Sequence, residues 1–215
     1  MRNTLAAILF GAVVGQAFAQ GTDVGLVNLV SGEVAYAAPS GSPGKAQPFM
    51  KVREGDRFNV PAGAQIRIVY FTSARQERWV GPSSFRATQG ASEVLAGKLA
   101  ESSVLPASVP QRIARVPDLM QNARLGGIQV RGPARLSQLT AAEQESVRES
   151  RVTFQKLRGD LPADDITPEL FLVAALSEHL LYDQIKPLVD DMVRRQPDNA
   201  DLRTLAVWIE QRLAR

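Results

Sequence analysis

The 215-residue chain contains no cysteine and a single histidine, His179. The first absence excludes disulfides, thiolate metal sites and a cysteine nucleophile, so stability has to come from packing and hydrogen bonding. The second confines the usual general base to one position. Aromatic residues make up only 6%, and neither a G-x-S-x-G elbow nor a phosphate-cradling glycine loop occurs. Beyond the first twenty residues no apolar run approaches the roughly 20 residues that a membrane-spanning helix needs. What is present is an ordinary globular composition, 45% hydrophobic and 22% charged, with enough apolar material for real cores.

The opening "MRNTLAAILFGAVVGQAFAQ" carries Arg2, an apolar run over residues 5–15 and then Ala17-Phe18-Ala19. These match the three regions of a secretory signal peptide, so residues 1–19 are expected to be cleaved after Ala19. The run is too short for a transmembrane anchor. The mature chain is expected to be exported, soluble and without a membrane span, which in a Gram-negative cell means the periplasm. Charge is unevenly spread: residues 51–135 hold 13 basic and 6 acidic groups, residues 136–215 hold 10 and 14. A positive half joined to a negative half suggests two units with different surfaces.

Residues 20–97 read as all-β, because short β-branched and aromatic runs alternate with Gly, Pro and Ser. "VGLVNLV" and "EVAYA" give two strands, "PSGSPGKAQP" a surface loop, and Pro61-Ala62-Gly63 a turn that returns the chain as "QIRIVYF". In that strand Ile66, Ile68 and Tyr70 share one face, which must be core. The other face mixes Arg67 with Val69 and Phe71 and is expected to be half covered. Val80, Phe85 and Trp79 are further apolar contributors. Residues 98–139 read as a connector: the three prolines of "SSVLPASVPQRIARVP" oppose continuous helix, leaving one short helix over residues 118–124 and a strand in "GGIQVRGPARL".

From residue 140 the period becomes helical. Thr140 and Glu143 form a capping box for a helix to about Arg158. Thr167 is expected to cap the next, with Pro168 preset for its first turn. "PELFLVAALSEHLL" is apolar around much of its circumference and so is expected to be the buried helix of its group. The following helices carry Ile185, Leu188, Val189 and Met192, then Leu202, Leu205, Ile209 and Leu213, at three-and-four spacing. The class is α+β: an N-terminal sandwich or short β-solenoid plus a C-terminal helical unit over residues 140–215.

The β segment, with "SGEV", "VREGDRF", "PAGAQIRIVYF" and "ERWVGPSSF", resembles the FecR-like periplasmic β domain, in which a "GD" and a "GP" turn recur. Iron-uptake transducers of that family have a cytoplasmic segment and a membrane span before the β domain. A cleavable signal peptide is expected to precede it here, so the soluble secreted members are the better comparison. "PELFLVAALSEHLLYDQIKPLVDDMVRRQPDNADLRTLA" is similar to a divergent tetratricopeptide repeat with a capping helix. Tyr182, Ile185, Val189 and the "QPDN" turn fall at its characteristic positions, although Ile185 replaces the usual alanine and Val173 the usual glycine. One repeat is too few for a solenoid, so the helix from Thr140 is expected to supply the missing neighbour.

Candidate chemistry is thin. His179, beside Glu178, reads as a surface helical residue. Asp164-Asp165 precedes a helix start, where acids favour the positive end of the dipole, and Asp190-Asp191 lies on a solvated face. No metal, cofactor or catalytic residue is expected. Ser42-Pro43-Gly44-Lys45 matches S-x-x-K but lacks the K-T-G of penicillin-interacting enzymes. The β half offers Arg53, Arg57, Arg67, Arg75, Arg78 and Arg86 around Trp79 and Phe85, and arginine suits bidentate recognition of carboxylates and phosphates. The same arginines also read as a solvated face that discourages edge aggregation. The candidate binding residues are Arg67, Arg78, Trp79 and Tyr182. The expected role is non-catalytic binding or scaffolding in the cell envelope, to a protein or an envelope polymer and not to nucleic acid. The alternatives are a FecR-like signalling component and a carboxylate-dependent envelope hydrolase.

Overall fold

A computed structural model describes residues 21–125 and 139–214. The expected leader at residues 1–19 and the strand expected in "GGIQVRGPARL" lie outside the described residues. Ten strands come first: β1 (Asp23–Ser31), β2 (Ala35–Ala37), β3 (Gly44–Lys45), β4 (Lys51–Arg53), β5 (Arg57–Val60), β6 (Gln65–Tyr70), β7 (Arg75–Val80), β8 (Ser83–Ala87), β9 (Ser92–Gly97) and β10 (Glu101–Val104). Six helices follow among the described residues: α1 (Ser108–Ile113), α2 (Val116–Arg124), α3 (Ala141–Asp160), α4 (Thr167–Ser177), α5 (Tyr182–Arg195) and α6 (Ala200–Leu213). The chain is α+β.

The strands form two antiparallel five-stranded sheets, β10-β7-β6-β1-β4 and β3-β2-β5-β8-β9. They enclose a core of Val27, Ile66, Ile68, Tyr70 and Trp79 from the first sheet and Phe58, Val60 and Phe85 from the second. Of the two β architectures open to the sequence, this is the sandwich. Trp79 stacks on Phe85 at 4.3 Å and Phe85 on Phe58 at 5.0 Å, a column joining the sheets. The Pro61-Ala62-Gly63 turn forms as expected, Ala64 N–H donating to the Pro61 carbonyl with Gly63 at φ 81°.

The first sheet is covered on its other face too. Leu26, Phe49, Val69 and Leu105 belong to the same apolar cluster as the helices, so three layers share two cores. Residues 167–176 of α4 are all buried, as an all-round apolar helix requires, and α1, α2, α3 and α5 pack on it. Thr140 and Glu143 make the expected reciprocal box at the start of α3. In α5 and α6, Ile185, Val189, Met192, Leu202, Leu205 and Ile209 are buried, whereas Leu213 is exposed.

Several expectations are corrected. The stretch read as a connector holds the expected short helix as α2, beginning at Val116, but also β10 and α1; in α1 Pro110 occupies the first turn, where no intrahelical donor is lost. Thr167 is the first residue of α4 rather than its cap, and Asp165 Oδ1 accepts its N–H instead. Helix α4 ends at Ser177, short of His179. Val80, expected as core, is exposed at the last position of β7. The charge asymmetry is partly an internal complement: Arg67 meets Asp164 and Asp165, Arg112 and Arg115 meet Glu178, and Arg124 meets Asp201.

Candidate functional site

The seam between the first sheet and the helices starts from one polar residue in an apolar run. Asn28 interrupts "VGLVNLV" where the β1–β6 register slips between Val27 and Leu29, and alternation puts its side chain on the helical face with Leu26. There Asn28 Nδ2 donates to Thr167 Oγ1 at 2.6 Å, and the Thr167 hydroxyl lies within donating reach of Gln76 Oε1 and Asp165 Oδ1. Asp165, with no exposed surface, accepts from Gln76 Nε2 and from Thr167 N–H. Arg67 supplies the counter-charge, its Nη1 lying 3.4 Å from Asp165 Oδ1 and its Nη2 donating to Asp164 at 3.1 Å. A buried carboxylate is tolerable only with such partners.

The loop over residues 161–166 is held from below as well. Arg158 donates to the carbonyls of Leu161, Pro162 and Asp165 and to the buried Glu169, and Arg195 donates to the Ala163 carbonyl. Asp164 is thereby fixed at the mouth of a cleft of about 620 Å³ where the sandwich meets the α5–α6 turn. Its walls are residues 29–32 at the end of β1, Gln47 and Pro48, Gln65, and residues 195–201.

The four residues expected to bind are not brought together. Arg67 and Trp79 are buried, at 2% and 1% exposure, and neither can meet a partner. Arg67 is covered because the helices lie over the face that the sequence left half open. Trp79 points into the sandwich, its indole N–H donating to Glu77 Oε2 at 3.1 Å. Arg78 is cross-strand from Arg67 at the uncovered rim, donating to Gln65 and Glu101. Tyr182 lies far along the helical layer, edge-on to Trp208 at 5.6 Å, and burial raises its phenol pKa.

Of the acids weighed for chemistry, Asp164 and Asp165 belong to the seam, while Glu178 accepts from Arg112 and Arg115. His179 follows α4 in a turn, mostly buried, with Nδ1 3.6 Å from Glu143. Among the described residues no group of three or more acids and histidines is placed to hold a metal ion. Lys45 of the S-x-x-K match pairs with Glu33 on the surface. The sequence reading missed Asn28, Gln76, Thr167 and the cleft. A lone Asn in the otherwise apolar seven-residue stretch 24–30 was the available signal for the first. The cleft had none, since its walls come from segments over a hundred residues apart. No known protein family, curated protein or solved structure matches the chain.

Proposed function

We propose that this is an exported, non-catalytic binding protein of the cell envelope, working through the cleft between a FecR-like sandwich and a tetratricopeptide-like helical layer. Its ligand is a protein or an envelope polymer rather than nucleic acid. The observation that carries this reading is how three of the four charged groups lining the cleft are used; Asp198, the fourth, is exposed. Asp164 is held by Arg67, Asp201 by Arg124, and Arg195 by Asp191 and the Ala163 carbonyl. Groups fixed in this way present shape and charge, whereas general acid–base work needs a side chain free to exchange a proton with substrate. Around the cleft, the strand end and the side-chain amides of Gln47 and Gln65 offer hydrogen bonds to a ligand.

In-cell photocrosslinking from positions 47 and 198 at the cleft rim, with position 57 on the far sheet as control, tests the reading. A discrete adduct from the rim positions alone is the expected result. Equal labelling of bulk material from all three positions would overturn it, as would turnover of an envelope substrate by the purified chain.

A further inference from the structure

The identity of the ligand follows from one half-paired strand. Strand β1 runs beside β6 throughout, from Gly25↔Tyr70 to Ser31↔Gln65, but beside β4 only as far as Leu26↔Lys51. The last bonds on that side are Val27 N–H to the Met50 carbonyl at 3.0 Å and Phe49 N–H to the Val27 carbonyl at 2.7 Å. Phe49 has φ 62°, which turns the preceding chain away from β1. A bulky residue there costs about 1–3 kcal/mol, and burial of its ring in the helical core holds it in place. Beyond the turn, Gln47 and Pro48 become the far wall of the cleft.

The end of β1 therefore has a free edge inside the cleft. Phe71 N–H donates to the Val24 carbonyl, so odd-numbered positions along β6 face β1. With Leu29 opposite Arg67 and Ser31 opposite Gln65, the peptide groups of Leu29 and Ser31 turn to β6 and those of Val30 to the open side. Val30 lines the cleft. Such an edge is a template for another strand.

The surroundings select charge. Asp198 is exposed and Asp164 keeps 56% of its side chain exposed despite Arg67, whereas the guanidinium of Arg195 is turned to Asp191 and Ala163. An anion is disfavoured: the first free amides of α6, at Asp201 and Leu202, are already taken by Asn199 Oδ1. Gln196, nine-tenths buried in the cleft wall, keeps an amide Nε2 without an acceptor among the described residues, while its Oε1 accepts from Asn199.

We propose that the cleft takes an extended peptide segment, added as a short strand beside residues 29–31 of β1, with a lysine or arginine of the peptide between Asp164 and Asp198. This rests on the binding reading above and names its ligand class. Main-chain hydrogen bonds supply affinity in this mode, and alternate side chains supply selectivity.

A displayed library of random 12-residue peptides, panned against the full chain, provides the probe. Selected peptides are expected to alternate β-branched residues with lysine or arginine. Synthetic copies N-methylated at every second residue separate the two edges of the peptide. One register should lose about tenfold or more in affinity and the other little, because only one row of amides faces β1. Asp198→Asn should weaken binding several-fold and flatten its salt dependence. Tolerance of methylation in both registers, or an unchanged affinity for Asp198→Asn, overturns the proposal. An empty selection overturns it too; a discrete adduct from positions 47 and 198 would then still uphold the binding reading, and the lack of one would sink both.

Discussion

Two arginines in successive strands, one in each sheet, have opposite fates. Arg67 of β6 is 2% exposed and locked to two acids, whereas Arg57 of β5 is exposed on the outer face of the second sheet. Strand β5 shows the simple alternation of a sheet with one wet face, and in β6 every residue after Gln65 is buried. The difference lies in what covers the sheet. The helical layer shares a core with the first sheet, and the outer face of the second is exposed at Arg57 and Asn59, so side chains of the same type have structural duties in one and contact water in the other.

The comparison sharpens most at Arg67. Arg67→Ala leaves Asp165 buried without its counter-charge, and a loss of about 3–5 kcal/mol in urea unfolding is expected; a change below about 1 kcal/mol would mean that the helices do not seal this face. Next comes Thr167→Val, which keeps the shape but deprives Asn28 of its acceptor and one of Gln76 and Asp165 of the hydroxyl proton. About 1–3 kcal/mol should be lost by the same measurement.

A smaller effect concerns Asp56, in the turn leading to β5. Burial raises its carboxyl pKa above the ordinary 3.8, against the lowering effect of hydrogen bonds from Arg53 N–H and the Tyr36 hydroxyl. The folded chain thus holds a proton that the unfolded chain has released, so stability declines as pH rises from 3.8 through the raised value. Asp56→Asn keeps an acceptor for Arg53 N–H and should lack that decline. Urea midpoints of both proteins across a pH series check it, and parallel curves would refute it. The least effect is expected at Arg57→Ala, within about 0.5 kcal/mol of the parent in urea unfolding. A larger loss would show that the second sheet is not the open face described.

Much of the fold was legible locally. The alternation of "QIRIVYF" gave the core face of β6, Thr140 and Glu143 gave the start of α3, and the uniform apolarity of residues 170–176 gave the buried helix. The α1 turn was hidden because prolines in a first turn look like prolines in a loop. Of the site, almost nothing was legible: Arg67 and Trp79 looked like a recognition surface because arginine beside an aromatic residue reads alike on a wet face and a covered one.

The sequence by itself determined which residues alternate, where turns and caps fall, and that neither thiol nor more than one imidazole is available. These are properties of near neighbours and composition. Only the tertiary structure decided that the second face of β6 is dry, that Arg67 is a seam residue, and that the end of β1 opens into a cleft. Those facts depend on Asp164, Thr167 and the 195–201 turn arriving from more than ninety residues away. A strand's own pattern records how its side chains alternate and carries no trace of what the rest of the chain lays over them.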